Sequence, residues 1–372
     1  MNLLELKIIE KIKDQGPITF ENFMDMALYY PSLGYYTSPE TRIGRKGDFY
    51  TSPHLHPAFG AMIGKQLEEM WKIMGSPSDF TAVEIGAGAG YLCGDVLVYL
   101  KNKKIFNSLK YIVVELNPLM MEVQKKLISG FSDKVRWVSQ LKDIGFLRGC
   151  IFSNELLDAF PVHVVEMDTG LKEIFVGFGP EGFKDIYQSV SSLKLINYFN
   201  VYLANIPKGC RTEINLRIKD WLKDIDEILS EGFILTIDYG YTASEYYDEE
   251  RSRGTLLCYH KHRTNENPYK NIGQQDITAH VNFSSLKKWG DELGLKTIGY
   301  CAQGTFLIAL GLDEVITELY GESPDYENEV RRIKGLIMPQ GMGESHNVMI
   351  HYKGKESPEL RGFSLRNQIR HL

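Results

Sequence analysis

The chain has 372 residues, 43% of them hydrophobic, enough for one large domain with insertions or for two smaller ones. A net charge of −6, with no block of like charge, argues against a nucleic-acid-binding surface as the main function. Five scattered cysteines, none spaced C-x-x-C, support neither a disulfide framework nor a zinc ribbon, and no apolar run approaches the roughly 18 residues of a membrane span.

The first segment, MNLLELKIIEKIKDQG, reads as an amphipathic helix with Leu4, Ile8 and Ile12 in line. It carries Glu5 and Glu10 and shows no signal-peptide cleavage pattern, so the expected location is the cytoplasm, in a reducing compartment. TFENFMDMAL continues as a helix capped by Thr19. AFGAMIGKQLEEMWKIMG follows as another, with Gly75 where a C-cap belongs. Between these two helices, YYPSLGYYTSPETRIGRKGDFYTSPHLHP is too long and too aromatic for a mere connection and reads as a lid or binding loop.

From residue 80 strands alternate with helices. FTAVEIG, YIVVEL, VRWVSQ, CIFSNE and FILTIDYG read as strands. YLCGDVLVYLKN, NPLMMEVQKKLIS (Asn117 as cap, Pro118 at its first position) and the long TEINLRIKDWLKDIDEILSEG read as helices, the last burying Ile214, Ile218, Trp221, Leu222 and Ile225. This rhythm predicts an α/β fold, a mostly parallel sheet with helices on both faces. Two regions interrupt it: residues 162–178 read as a hairpin turning at Asp168-Thr169-Gly170, and residues 241–283 are polar and loop-rich. LKTIGYCAQG and HNVMIHYK are candidate closing strands. The expected division is an N-terminal extension with lid loop (1–75), a catalytic domain (76–353) with insertions at about 159–205 and 241–283, and a tail (354–372).

The string FTAVEIGAGAGYL sets the ligand question. Open parallel sheets bind ligands beside the first strand–helix turn. A dinucleotide fingerprint fits poorly: the third glycine comes one residue early, and the acid ending the next strand, Glu115, lies 29 residues past Gly86. No P-loop lysine follows either. Acid-x-G-x-G-x-G, from Glu84 through Gly86, Gly88 and Gly90, with Glu115 ending the second strand, resembles motif I and the ribose-binding acid of the Rossmann-like S-adenosylmethionine (SAM) methyltransferases. SAM has no phosphate, so the glycines serve close backbone approach, and Glu115 can accept hydrogen bonds from a ribose diol. The competing reading of the glycines is a turn used for packing alone.

ALYYPSLGYY, GDFYTSPHLHPAFG, SNELLDAFPVH, IDYGY, DITAHVNF and QGTFLIALG, in that order, resemble the MidA-type family of SAM-dependent methyltransferases over nearly the whole chain. The resemblance implies a class I methyltransferase fold with an N-terminal helical extension. It also implies SAM as cofactor and, from the mitochondrial members, arginine methylation of a respiratory complex I subunit and assembly of that complex. Two strings depart from the family pattern. Pro53-His54-Leu55-His56 lacks an acid after the proline, and CYHKHR is unusually rich in histidine.

An arginine acceptor calls for carboxylates that grip the guanidinium in bidentate fashion. Glu155 and Asp158, three apart at the end of the fourth strand, are the candidate catalytic pair, the alternative being a capping Glu155 and an ion-paired Asp158. Asn154 and Gln140 are candidates for the cofactor. Thr51, Ser52, Asp238, Tyr239 and His280 are candidates for the substrate or lid, each with a structural alternative. His54/His56 and His260/His262 form H-x-H pairs, but no carboxylate or cysteine stands at ligand spacing, so no metal is expected. The expected partner is a protein presenting an arginine, with neither nucleic acid nor membrane insertion. Competing functions are methylation of a small molecule or other side chain, a SAM-binding assembly factor without turnover, and an NAD-dependent oxidoreductase.

Overall fold

All six residues of Phe80–Ile85 are buried, as the continuous apolar run requires of a strand covered on both faces. The computed structural model, which describes residues 1–39, 52–203 and 206–372, places this strand (β1) in the interior of a large sheet. With β2 (Leu109–Val114), β3 (Val135–Val138), β4 (Leu147–Asn154), β5 (Leu229–Tyr241), β6 (Lys296–Ala302) and β7 (His346–Lys353), the spatial order is β6-β7-β5-β4-β1-β2-β3. Pairing is parallel from β3 through β5. Only β7, wedged between β5 and β6, runs antiparallel to its neighbours in this row. The fold is thus mixed α/β with a central, mostly parallel, Rossmann-like sheet. The strand order reverses between β1 and β4, the topological switch point where such sheets bind ligands.

The apolar side chains of the two sheet faces build separate cores. Helices Ala58–Ile73 and Tyr91–Leu100 cover one through Phe59, Leu67, Leu92 and Leu97. Helices Arg217–Ile228 and Phe283–Glu292 cover the other through Ile218, Leu222, Ile225 and Leu286. The tail packs too: Phe363 lies 5.3 Å from the Phe306 ring, and Gln368 N–H donates to the Tyr300 carbonyl.

The predicted hairpin forms, His163–Met167 against Leu171–Gly179, but it belongs to a second, antiparallel sheet. That sheet adds Gly182–Gln188, Arg211–Ile214 and, at its edge, Ile18–Thr19. Thr212–Ile214 is therefore strand, not the start of the long helix, which begins at Arg217. Pairing with residues 163–166 is the reason, and the strand is anchored through buried Glu213. This carboxylate accepts from Tyr246 Oη, Thr255 N and Thr255 Oγ1, and the partners that hold it lie 33 to 42 residues away, beyond the reach of periodicity. The loop-rich region 241–283 contains a small antiparallel sheet, Leu257–His260 with Arg263–Asn265 and Asp276–Thr278.

Across the centre of the main sheet, Thr81, Gly149 and Gly232 share one rung. Gly149 sits at φ +149°, and a Cβ there would stand 2.0 Å from the Thr81 carbonyl oxygen. Rigid backbone of the neighbouring strand cannot yield. Gly149→Ala is expected to destabilise the protein by about 2–4 kcal/mol, read as a lower urea midpoint at unchanged slope.

Candidate active site

A cavity of about 990 Å³ opens at the carboxyl ends of β1 to β4. Of the residues predicted to hold a cofactor, Glu84, Gly86, Gly88, Glu115, Gln140 and Asn154 line it. Gly90 stands just behind, at the start of the helix Tyr91–Leu100. The three glycines have φ of 71°, 53° and 88°, left-handed values that let the chain turn sharply over the cavity. At Gly90 a Cβ would also press on Gln124 Cγ at 3.2 Å.

Gln124, which sequence reasoning missed, ties this corner together. Its Nε2 donates to the Gly88 carbonyl at 2.8 Å and to Glu115 Oε2 at 2.9 Å, while its Oε1 accepts from Trp137 Nε1. Glu115 Oε1 accepts from Asn117 N at 2.9 Å. Burial pushes the Glu115 carboxyl above its usual range. Only the residue type of Gln124, on the inner face of an amphipathic helix, could have marked it.

Glu84 lies at the base of the glycine turn, 2% exposed, and accepts from the buried Tyr111 hydroxyl. Burial, opposed by that hydrogen bond and reinforced by nearby Glu115, raises its pKa to about 7 from 4.5. The folded state therefore binds more protons than the unfolded chain between about pH 4.5 and 7, and stability falls as pH rises through that window. Glu84→Gln is expected to flatten this part of the stability–pH curve of the ligand-free protein, checked by urea unfolding at pH 5, 6, 7 and 8. An unchanged slope would contradict it.

On the acceptor side the structure departs from the predicted pair. Glu155 takes a left-handed backbone, φ +50°, which breaks the helical turn assumed between it and Asp158. Glu155 lines the cavity, with its Oε1 accepting from Ser52 N and Asn154 Nδ2, both at 3.2 Å. Asp158 does not line the cavity; it is 5% exposed and accepts from the Tyr239 hydroxyl rather than from an arginine. Burial raises its carboxyl to about 7.

Asp238 is fully buried behind them. Its Oδ2 accepts from Leu156 N (3.1 Å) and Leu157 N (2.9 Å), and its Oδ1 from Tyr239 N (2.9 Å). It thus fixes the turn that carries Glu155, and burial with neighbouring Asp158 and Glu155 raises its pKa well above normal. Neither Asp238 nor Tyr239 faces the cavity. His280 does not either: it packs edge-on against Tyr239 at 5.1 Å, and burial pushes its pKa down to about 4. Ser52 is buried, its hydroxyl 3.3 Å from Gln303 Oε1. Thr51 falls outside the described residues.

The N-terminal extension closes the cavity with Tyr29, Tyr35 and Tyr36. Tyr29 Oη donates to the Ala159 carbonyl, Tyr36 Oη to Asp276, and Asn117 Nδ2 to the carbonyls of Tyr36 and Ser38. Among the predicted H-x-H pairs, His56 Nε2 pairs with Glu329 and His260 Nδ1 with the Gln274 carbonyl. No group of three or more His, Cys, Asp or Glu among the described residues is placed to hold a metal. No helix among them is long and apolar enough to cross a membrane.

The wall fits SAM. Asn154 Oδ1 is buried at the cavity without a partner among the described residues, a polar atom awaiting a donor. Glu115 and the glycine turn supply an acceptor carboxylate and open backbone.

Known proteins share this fold or resemble this sequence over most of their length. A Burkholderia thailandensis protein described as a "likely methyl transferase", solved with S-adenosyl-homocysteine bound, superposes at TM-score 0.91 with 28% identity, over 99% of this chain and 96% of its own. A native structure of a protein from the same organism gives 0.88 and 27% over the same shares. Among curated proteins, protein arginine methyltransferase NDUFAF7, mitochondrial, from Homo sapiens is 26% identical over 91% of this chain and 81% of its own length. Its Rattus norvegicus counterpart is 24% identical over the same shares. That these relatives are mitochondrial overturns the expectation of a cytoplasmic protein, which rested on the absence of a signal-peptide pattern, on Glu5 and Glu10 and on the scattered cysteines. A sequence family described as "Putative S-adenosyl-L-methionine-dependent methyltransferase" matches residues 62–301, and with well over half its length so matched the chain belongs to this family of SAM-dependent methyltransferases.

Proposed function

We propose that the methyl acceptor is an arginine side chain of a protein substrate. The observation that carries this reading is Glu155, a carboxylate with 9% of its side chain exposed, held at the cavity wall where β4 ends. The names of the NDUFAF7 relatives support it. When bound, SAM supplies an electrophilic methyl group on a sulfonium. Glu155 offsets the cost of bringing a second cation close and orients one guanidinium nitrogen. Its backbone is fixed by Asp238, its Oε1 by Ser52 N and Asn154 Nδ2, so little freedom is lost when the substrate arrives. Tyr29, Tyr35 and Tyr36 wall the cavity against water.

The test is to incubate the protein with methyl-labelled SAM and a lysate of a strain lacking it, then map the label by mass spectrometry. Label on arginine of one or a few proteins is the expected result, with a respiratory complex I subunit as the first candidate. Label on small molecules or other side chains would replace arginine as the acceptor. No label, with SAM binding intact, would favour an assembly factor without turnover.

A further inference from the structure

Methylating a guanidinium leaves a methylguanidinium of unchanged charge and one surplus proton. The N–CH₃ bond forms as the donor's S–CH₃ bond breaks with its pair staying on sulfur, and an N–H bond breaks with its pair staying on nitrogen. A buried carboxylate can take that proton but must pass it on before the next turnover. Resting on the arginine reading, we propose that His346 is a positioning and proton-relay residue that receives this proton from Glu155 and releases it to solvent past Ser345.

The geometry lies in one line. His346 begins β7 and is paired in register with Tyr239 of β5. Its side chain is 8% exposed, and its Nε2 is buried without a hydrogen-bond partner among the described residues. That nitrogen lies 3.6 Å from Glu155 Oε1, and contacts between catalytic groups that are this long without substrate commonly shorten when it binds. The other ring nitrogen, Nδ1, lies 3.0 Å from Ser345 Oγ, and Ser345 is exposed. The chain therefore runs from cavity to surface: Glu155 Oε1, His346 Nε2, His346 Nδ1, Ser345 Oγ.

The packing around the ring is consistent with this use. Tyr239 stands edge-on at 5.5 Å and locks the imidazole plane, and the hydroxyl of Tyr239 is itself engaged with Asp158. The other titratable groups near the ring are Asp158 and Asp238, both held toward their neutral forms by burial, and His280 beyond Tyr239. Glu155 is thus the carboxylate that directly faces Nε2 among the described residues. An imidazole is suited to the exchange because its unperturbed pKa lies near neutrality and it has two nitrogens, one for each direction of transfer.

The experiment compares wild type, His346→Gln and Glu155→Gln in initial rates of label transfer from methyl-labelled SAM to deletion-strain lysate protein, from pH 5.5 to 9.5. SAM affinity is measured by calorimetry, and His346→Ala is assayed with and without added imidazole. His346→Gln should keep SAM affinity and acceptor KM but lower kcat by roughly tenfold or more and move the acid limb of the rate profile. His346→Ala should recover part of that loss with added imidazole, a gain no packing defect would produce. Wild-type rates and profile in His346→Gln, with label on arginine, would overturn the relay and leave the arginine reading standing. No arginine label from wild type would overturn the reading instead. The relay would fall in its own right if added imidazole left the rate of His346→Ala unchanged.

Discussion

Glu155→Gln is expected to reduce methyl transfer to lysate protein by about a hundredfold or more, while SAM affinity changes less than about twofold. The substitution keeps the shape of the side chain and still lets its amide oxygen accept from Ser52 N and Asn154 Nδ2. On the proposed arginine reading, what it removes is the charge that would draw a guanidinium into the cavity and the basic oxygen that would take its proton. The left-handed backbone at Glu155 is retained because Asp238 grips the two following N–H groups. Rates and calorimetric binding measured on the same preparations check the claim. Turnover within about threefold of wild type would remove Glu155 from the reaction.

Glu115→Ala strikes the other half of the site. Hydrogen bonds to a charged group are worth roughly 1.5–3 kcal/mol each, and a ribose diol offers two, so SAM affinity should fall by at least about thirtyfold in a calorimetric titration. Part of the effect is indirect: without the carboxylate, Asn117 N loses its acceptor and Gln124 Nε2 keeps only the Gly88 carbonyl. Gln124→Ala separates the two contributions, since it removes the donor to Glu115 and leaves the acid proposed to hold the ribose in place. An undiminished affinity in Glu115→Ala would mean the diol is held elsewhere.

That most of the proposed cofactor residues line one cavity was legible because they sit in one turn and at neighbouring strand ends. Glu84 and the three glycines lie in one turn, Glu115 ends the next strand, and hydrophobic runs mark where each strand stops. Gln140 and Asn154 followed from the same logic, as residues at the carboxyl ends of β3 and β4. The acceptor half was only partly legible. The spacing of Glu155 and Asp158 implied a shared face, but the positive φ at Glu155 sends the two carboxylates to different places. The cause is Asp238, 82 residues from the Leu156 amide that it holds. His346 stayed hidden for a similar reason: it meets Glu155 because β7 enters the sheet beside β5, a long-range pairing without local sequence sign. Residues 212–214 were misread as helix because only distant partners make them strand.

The edge strand Ile18–Thr19 has one more consequence, for how the chain reaches this state. Phe20, Phe23 and Met24 find their burial against Val164, Ile174 and Val176, and against Cys258 and Ile277. Residues 18–24 are thus completed by segments made about 140 to 260 residues later. Until they emerge, the two N-terminal helices carry open apolar faces and Ile18–Thr19 has no strand to join. The accessory layer should be the last part to consolidate on refolding, trailing the central sheet, because closing such long loops is slow. That same interval is when a holding chaperone would have most to grip.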